Sequence, residues 1–229
     1  MPKTDLIVVL DVDTRVEALS IVNRCGACRW FKIGSQLYTR EGPDVVREVL
    51  AQGKQVFLDL KFHDIPNTVA HAAAAGMALG AGLMTLHAFG GRTMIAAARE
   101  AVEGSSTKLL AVTVLTSLSD DMLRDELGVP ETAAQTVPRL AKMAIESGAH
   151  GIVCSPHEIA QVRAAVGPEP LIVTPGIRPA WAGADDQQRI MTPYEAAAAG
   201  ASMIVVGRPI LKHANPAEAV ERILEEMHA

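Results

Sequence analysis

In Phe57-Leu58-Asp59-Leu60-Lys61-Phe62-His63-Asp64 an amine stands between two acids, and Asp59 and Lys61 are two apart in what reads as the end of a β-rich run. Side chains alternate across a strand, so Asp59 and Lys61 point to one side while Leu58 and Leu60 point to the other. A lysine held among carboxylates can stabilise a developing carbanion and then give it a proton, so one group serves two needs. The same residues also fit a purely structural role: a buried ion pair closing a strand, with Asp64 or Asn67 capping the next helix. Polar groups at the ends of other runs bear on the choice. Asp11 ends the first run, Lys32 lies at the end of the second, and Thr116 follows the fifth.

Two further segments carry a different chemistry. Thr174-Pro175-Gly176-Ile177-Arg178 and Val206-Gly207-Arg208-Pro209-Ile210 each join a glycine, where backbone can approach a ligand, to an arginine that forks onto phosphate oxygens. Pro209 suits the first turn of a short helix.

Such groups need a scaffold that gathers them. Eight β-rich runs alternate with helical stretches: Leu6–Leu10, Trp30–Ile33, Gln55–Leu60, Leu83–His87, Leu109–Leu115, Gly151–Cys154, Leu171–Thr174 and Met203–Val206. The helical stretches fall near Arg15–Asn23, Pro43–Gln52, Asn67–Leu79, Thr93–Val102, Ala133–Ser147, His157–Val166, Pro193–Ala199 and Ala217–Met227. Each strand followed by its own crossover is the pattern of parallel βα units. An open doubly wound sheet alternates too, but eight units in 229 residues favour closure into a single (β/α)8 TIM barrel spanning residues 1–229. Ala72-Ala73-Ala74-Ala75 gives one helix small side chains with which to lie close to the sheet. The longest interruptions, 117–131 and 178–191, both follow strands, on the face where barrels build active sites.

A net charge of −5 argues against a nucleic-acid surface while leaving room for a small anion held by a local positive site. No apolar run reaches the roughly 18 residues of a membrane span, and the first residues lack the flanks of a signal peptide, so a cytoplasmic location is expected. Cys25, Cys28 and Cys154 are too few for a disulfide framework. Cys25-Gly26-Ala27-Cys28 has redox or metal spacing, yet without a second pair it reads as two packed thiols. His63, His87 and His157 show no ligand spacing.

Asp59 to Thr68, with Asp-x-Lys-x-x-Asp at its heart, resembles the signature of the orotidine 5′-phosphate decarboxylase family, in its compact bacterial form. The resemblance continues through Leu10-Asp11, Phe31-Lys32-Ile33-Gly34, Leu115-Thr116-Ser117, Pro175-Gly176-Ile177-Arg178, Asp185-Asp186-Gln187 and Val206-Gly207-Arg208-Pro209-Ile210. It implies decarboxylation of orotidine 5′-monophosphate to UMP without cofactor or metal, in a homodimer with shared active sites. On that resemblance Lys61 is the proton donor, within a network of Lys32, Asp59 and Asp64. Asp64, Ile65 and Thr68 reach the partner's site; Asp11 and Lys32 meet the ribose, Thr116 the base, and Pro175, Arg178, Gln187, Gly207 and Arg208 the phosphate end. Two alternatives use similar residues. A magnesium-dependent sugar-phosphate enzyme would want an acid where Lys32 stands, and an inert nucleotide-binding barrel would keep the arginines without needing Lys61.

Overall fold

A computed structural model describes residues 4–182 and 191–227, and these form a closed barrel of eight parallel strands in chain order. The strands are β1 (Asp5–Val9), β2 (Trp30–Gly34), β3 (Gln55–Phe62), β4 (Leu83–His87), β5 (Lys108–Val112), β6 (Gly151–Val153), β7 (Leu171–Thr174) and β8 (Met203–Val206). Closure comes from β1, which pairs with both β2 and β8. Around them run α1 (Arg15–Arg24), α2 (Ser35–Glu41), α3 (Asp44–Ala51), α4 (Pro66–Ala78), α5 (Gly91–Ala101) and α6 (Asp120–Asp125). The chain continues through α7 (Ala133–Glu146), α8 (Ile159–Val166), α9 (Pro193–Ala198), α10 (Arg208–Leu211) and α11 (Pro216–Glu226). The expected TIM barrel is borne out.

Alternation along the strands sorts the core into two layers. Ile7, Val9, Phe57, Leu83, Leu110, Val173, Met203 and Val205 fill the barrel interior. Their neighbours Leu6, Val8, Val56, Leu58, Met84, Leu109, Ile172 and Ile204 join a larger cluster between sheet and helices. The inner layer is a packed plug, so a ligand can enter only at the rim. On α4 the alanine run works as expected: Ala73 is fully buried, and at Gly76 a Cβ would collide with the Met84 sulfur. Capping boxes start α1 at Thr14 with Glu17 and α9 at Thr192 with Glu195, satisfying backbone donors that the helices leave open.

Several expected boundaries are corrected. The fifth strand was expected to reach Leu115 but ends at Val112, because its partner β6 stops at Val153 and offers no further ladder. Thr116 therefore sits on an exposed loop beyond the strand. Segment 35–41, which none of the expected helices covers, forms α2, whose only fully buried residue is Leu37, too little apolar periodicity to announce a helix. The 117–131 interruption holds α6, started by Ser119 Oγ accepting from the Met122 amide.

Candidate functional site

The main correction concerns β3. It runs past Leu60 to Phe62, and pairing with β4 jumps from Leu58 opposite Met84 to Phe62 opposite Leu86. Asp59, Leu60 and Lys61 thus face the single residue Thr85. Lys61 is the non-glycine residue with a left-handed backbone among the described residues, at φ 52°. Such a conformation costs on the order of 1–3 kcal/mol and persists only where its surroundings hold it. Asp59 and Lys61 do share a side, but through this bulge and not through regular alternation.

The side chains at the bulge form a chain of alternating charge. Lys61 Nζ donates to both Asp59 oxygens at 2.9 Å. Lys32 Nζ lies 3.2 Å from Asp59 Oδ2 and 3.4 Å from Asp11 Oδ1, giving Asp11–Lys32–Asp59–Lys61 in order. The Asp59 and Lys32 side chains are only 10% and 12% exposed, whereas Lys61 is 38% exposed and faces the opening. Burial pushes the Asp59 carboxyl upward, but the Lys32 and Lys61 ammoniums, with hydrogen bonds from Lys61 and Thr85, outweigh it and hold it below the usual carboxylate range. Asp59 therefore stays ionised with both oxygens engaged. Gly34, which the sequence motif contained but did not explain, makes room here. A Cβ there would stand 3.0 Å from Lys32 Nζ and 3.2 Å from Asp11 Oδ1.

Above the interior plug opens a cavity of about 320 Å³. Asp11, Lys32, Asp59 and Lys61 line one part of it; Pro175, Gly176, Arg178, Gly207 and Arg208 line another, and Thr116 with Leu115 a third. β3 and β7 are four strands apart in a closed ring of eight, so the lysine and the arginines face each other across the mouth. Gly176, at φ 80°, turns the chain after β7, and the turn is pinned by the Arg178 amide donating to Met191 O at 3.0 Å. Arg178 is almost wholly buried, and Arg208 opens α10 directly after Gly207.

Other expected residues stay apart. Asp64, Ile65 and Thr68 are exposed and do not line the cavity of their own chain. Asp64 Oδ1 accepts from the neighbouring Ile65 amide at 2.6 Å, and neither Asp64 nor Asn67 caps α4. Gln187 lies outside the described residues. Thr85 is the polar residue that sequence reading missed. The available signal was its place in Leu83-Met84-Thr85-Leu86-His87, where alternation from inward Leu83 turns it toward the interior.

The thiols are inert partners in packing. Burial pushes Cys25 and Cys28 up to about 11, and Cys28 Sγ donates to the Leu6 and Trp30 carbonyls. Cys154 lines the cavity floor and is also pushed up, by burial and then by the Glu158 charge. The His63 and His87 rings lie with centroids 5.4 Å apart, tilted by 36°. Burial, then the charges of His63 and Lys61, hold His87 below the ordinary imidazole range against the pull of Asp59. Among the described residues no three His, Cys, Asp or Glu gather as a metal site, and no helix is long and apolar enough to cross a membrane.

Fold and site define a parallel (β/α)8 barrel whose charged cavity opens at the C-terminal ends of its strands. Within that class the chain belongs to the orotidine 5′-phosphate decarboxylase / HUMPS family, whose pattern matches residues 4–223. An orotidine 5′-phosphate decarboxylase of Heliobacterium modesticaldum is 52% identical, over 98% of this chain and 96% of that protein. One of Syntrophotalea carbinolica is 50% identical over 98% and 95%. The crystal structure of orotidine 5′-phosphate decarboxylase from Lactobacillus acidophilus superposes with TM-score 0.89 at 42% identity, covering 99% of this chain and all of that one.

Proposed function

We propose that this chain decarboxylates orotidine 5′-monophosphate to UMP without a cofactor, in the cytoplasm, with Lys61 as the acid. The carrying observation is Lys61 Nζ held by both oxygens of buried, ionised Asp59 at the rim of a cavity whose far side presents Arg178, Gly207 and Arg208. When the bond from C6 to the carboxyl carbon breaks, its electron pair stays on C6 in the ring plane, where the π-system cannot take it up. An ammonium beside C6 stabilises that pair and then transfers a proton to it, leaving a neutral amine that water reprotonates. Fixed charges need no reorganisation as the carbanion develops, and Asp11–Lys32–Asp59–Lys61 is such a set.

The phosphate binds at Arg178, Gly207 and Arg208, with Pro175 shaping the wall and Gln187 joining from the 178–191 segment. Asp11 and Lys32 meet the ribose and Thr116 the base. Binding energy from the phosphate end, remote from C6, holds the pyrimidine against Lys61. Asp64, Ile65 and Thr68 complete the site of a second copy in a homodimer. Their exposure supports this, as do the apolar side chains Ile65, Phe89 and Leu115 left uncovered around one part of the rim.

The test is a spectrophotometric assay of orotidine 5′-monophosphate with chelator present, on wild type and Lys61→Ala. Undiminished turnover with chelator, and loss by about 10³-fold or more in Lys61→Ala, are expected from removal of a general acid and its charge. Activity abolished by the chelator would favour a magnesium-dependent enediolate enzyme, which Lys32 beside Asp59 disfavours because a cation already stands there. Mixing Lys61→Ala with Asp64→Ala chains should restore part of the activity. No recovery in proven heterodimers would reject the shared site.

A further inference from the structure

We propose that Thr85 is a positioning residue, whose hydroxyl ties the Lys61 backbone and the Asp59 carboxylate into one unit and so fixes where the Lys61 ammonium stands. Three residues of β3 face Thr85 alone, so the regular ladder cannot satisfy the backbone there. The Thr85 side chain does so instead: its Oγ1 accepts from the Lys61 amide at 2.9 Å and donates to Asp59 Oδ1 at 2.9 Å. A hydroxyl has one proton and two lone pairs, and these two bonds use the proton and one lone pair in a fixed sense. Thr85 is 1% exposed, so no bulk water can replace either bond.

The arrangement closes a ring. Thr85 Oγ1 holds the Lys61 backbone at its strained φ, Thr85 holds Asp59, and Asp59 holds Lys61 Nζ, so the beginning and end of the lysine side chain are fixed through one hydroxyl. Loss of the hydroxyl takes one hydrogen bond each from the Lys61 amide and from Asp59 Oδ1, which keeps the Lys61 ammonium. Strain at Lys61 then has less to oppose it, and the backbone relaxes toward the ladder. A lysine that must meet one carbon tolerates little drift: about 1 Å of misplacement can cost about 10²-fold. Arg178 and Arg208 follow β7 and β8, three and four strands around the barrel from β4, so substrate affinity should be spared.

This rests on the reading that Lys61 meets C6, and Lys61→Ala is therefore run beside the Thr85 variants. Thr85→Val keeps the volume and removes the hydroxyl; Thr85→Ser keeps the hydroxyl. Expected are a fall in kcat of about 10²-fold for Thr85→Val with KM for orotidine 5′-monophosphate changed by a factor of about three or less, and near-complete rescue by Thr85→Ser. If Thr85→Val does not fold, as judged by circular dichroism, Thr85→Ala replaces it under the same criteria. A folded hydroxyl-free variant with wild-type kcat, one whose loss falls on KM, or a serine variant no better than valine would each overturn the proposal. With Lys61→Ala dead, any of these leaves the decarboxylase reading standing; a fully active Lys61→Ala removes both.

Discussion

The two sides of the cavity are built by opposite means. On the β2–β3 side Lys32, Asp59 and Lys61 sit on strands, Lys32 and Asp59 almost buried, and with Asp11 they are linked at 2.9–3.4 Å, beside a strained backbone held by Thr85 of β4. On the β7–β8 side the cations stand just beyond the strands, where glycines let main-chain amides approach an anion, and outer residues continue the positive surface. There a second cavity of about 390 Å³, lined by Trp181, Lys212, His213 and Arg222, backs onto the same two arginines. Arg222 lies 4.5 Å over the Trp181 ring. On the proposed reading, the linked charges on the first side deliver the proton and the cations beyond β7 and β8 hold the dianion. This division predicts that damage to one side falls on turnover and damage to the other on affinity.

Among the variants that test this division, Asp59→Asn should give the largest effect. It leaves the Lys32 and Lys61 ammoniums facing each other without the carboxylate between them, so kcat should fall about 10³-fold, in line with removal of one preorganised electrostatic partner. Steady-state kinetics at saturating substrate measures it. A variant within tenfold of wild type would mean the charge chain is structural only. If KM falls at the same time, Asp59 also repels the substrate carboxylate in the ground state.

Arg208→Ala should come next, with the opposite signature. Charge-assisted hydrogen bonds contribute about 1.5–3 kcal/mol each, so KM should rise about 10- to 100-fold while kcat moves less. Inhibition by UMP should weaken in parallel. A loss confined to kcat would erase the division of labour between the two sides.

Gly34→Ala probes the side of the linked charges gently. The added methyl would press on Lys32 Nζ and Asp11 Oδ1, both ends of side chains that can shift by a few tenths of an ångström. A fall in kcat of about 3- to 10-fold without loss of melting temperature is expected from small displacement of reacting groups. An unchanged kcat would show that the Asp11–Lys32 link has slack.

Much of this was legible in the residues. The barrel followed from eight alternating units, and on the third strand the outward face of Leu58 followed from the pleat. Lys32, Asp59, Lys61, Arg178 and Arg208 were legible because polar groups at strand ends stand out against apolar strands. The bulge was not, since three residues facing one is a property of β3 and β4 together, and alternation within β3 alone led to the right side by the wrong geometry. Thr85 was hidden for the same reason: a threonine suits any strand, and its meaning depends on the gap opposite. Asp64, Ile65 and Thr68 stay exposed and away from the cavity of their own chain, so one chain's geometry does not test the role expected of them.

The smallest effect is expected away from the mouth, and it separates fold maintenance from both working sides. His150 precedes β6 at the N-terminal end of the barrel, and its Nδ1 accepts from the Leu109 amide at 3.0 Å. Burial, then the charges of Lys108 and Arg99, hold it down to about 4. The unfolded chain takes up the proton at an ordinary imidazole value, so this contribution to stability is complete above pH about 6.5 and is lost as pH falls toward about 4. His150→Asn keeps an acceptor in reach of Leu109 but has no proton to gain. Its melting temperature should therefore fall less than that of wild type between pH about 7.5 and about 5, while kcat at neutral pH stays the same. Parallel melting curves for the two proteins would show that His150 is not the group responsible, and a change in kcat would tie the bottom of the barrel to its mouth.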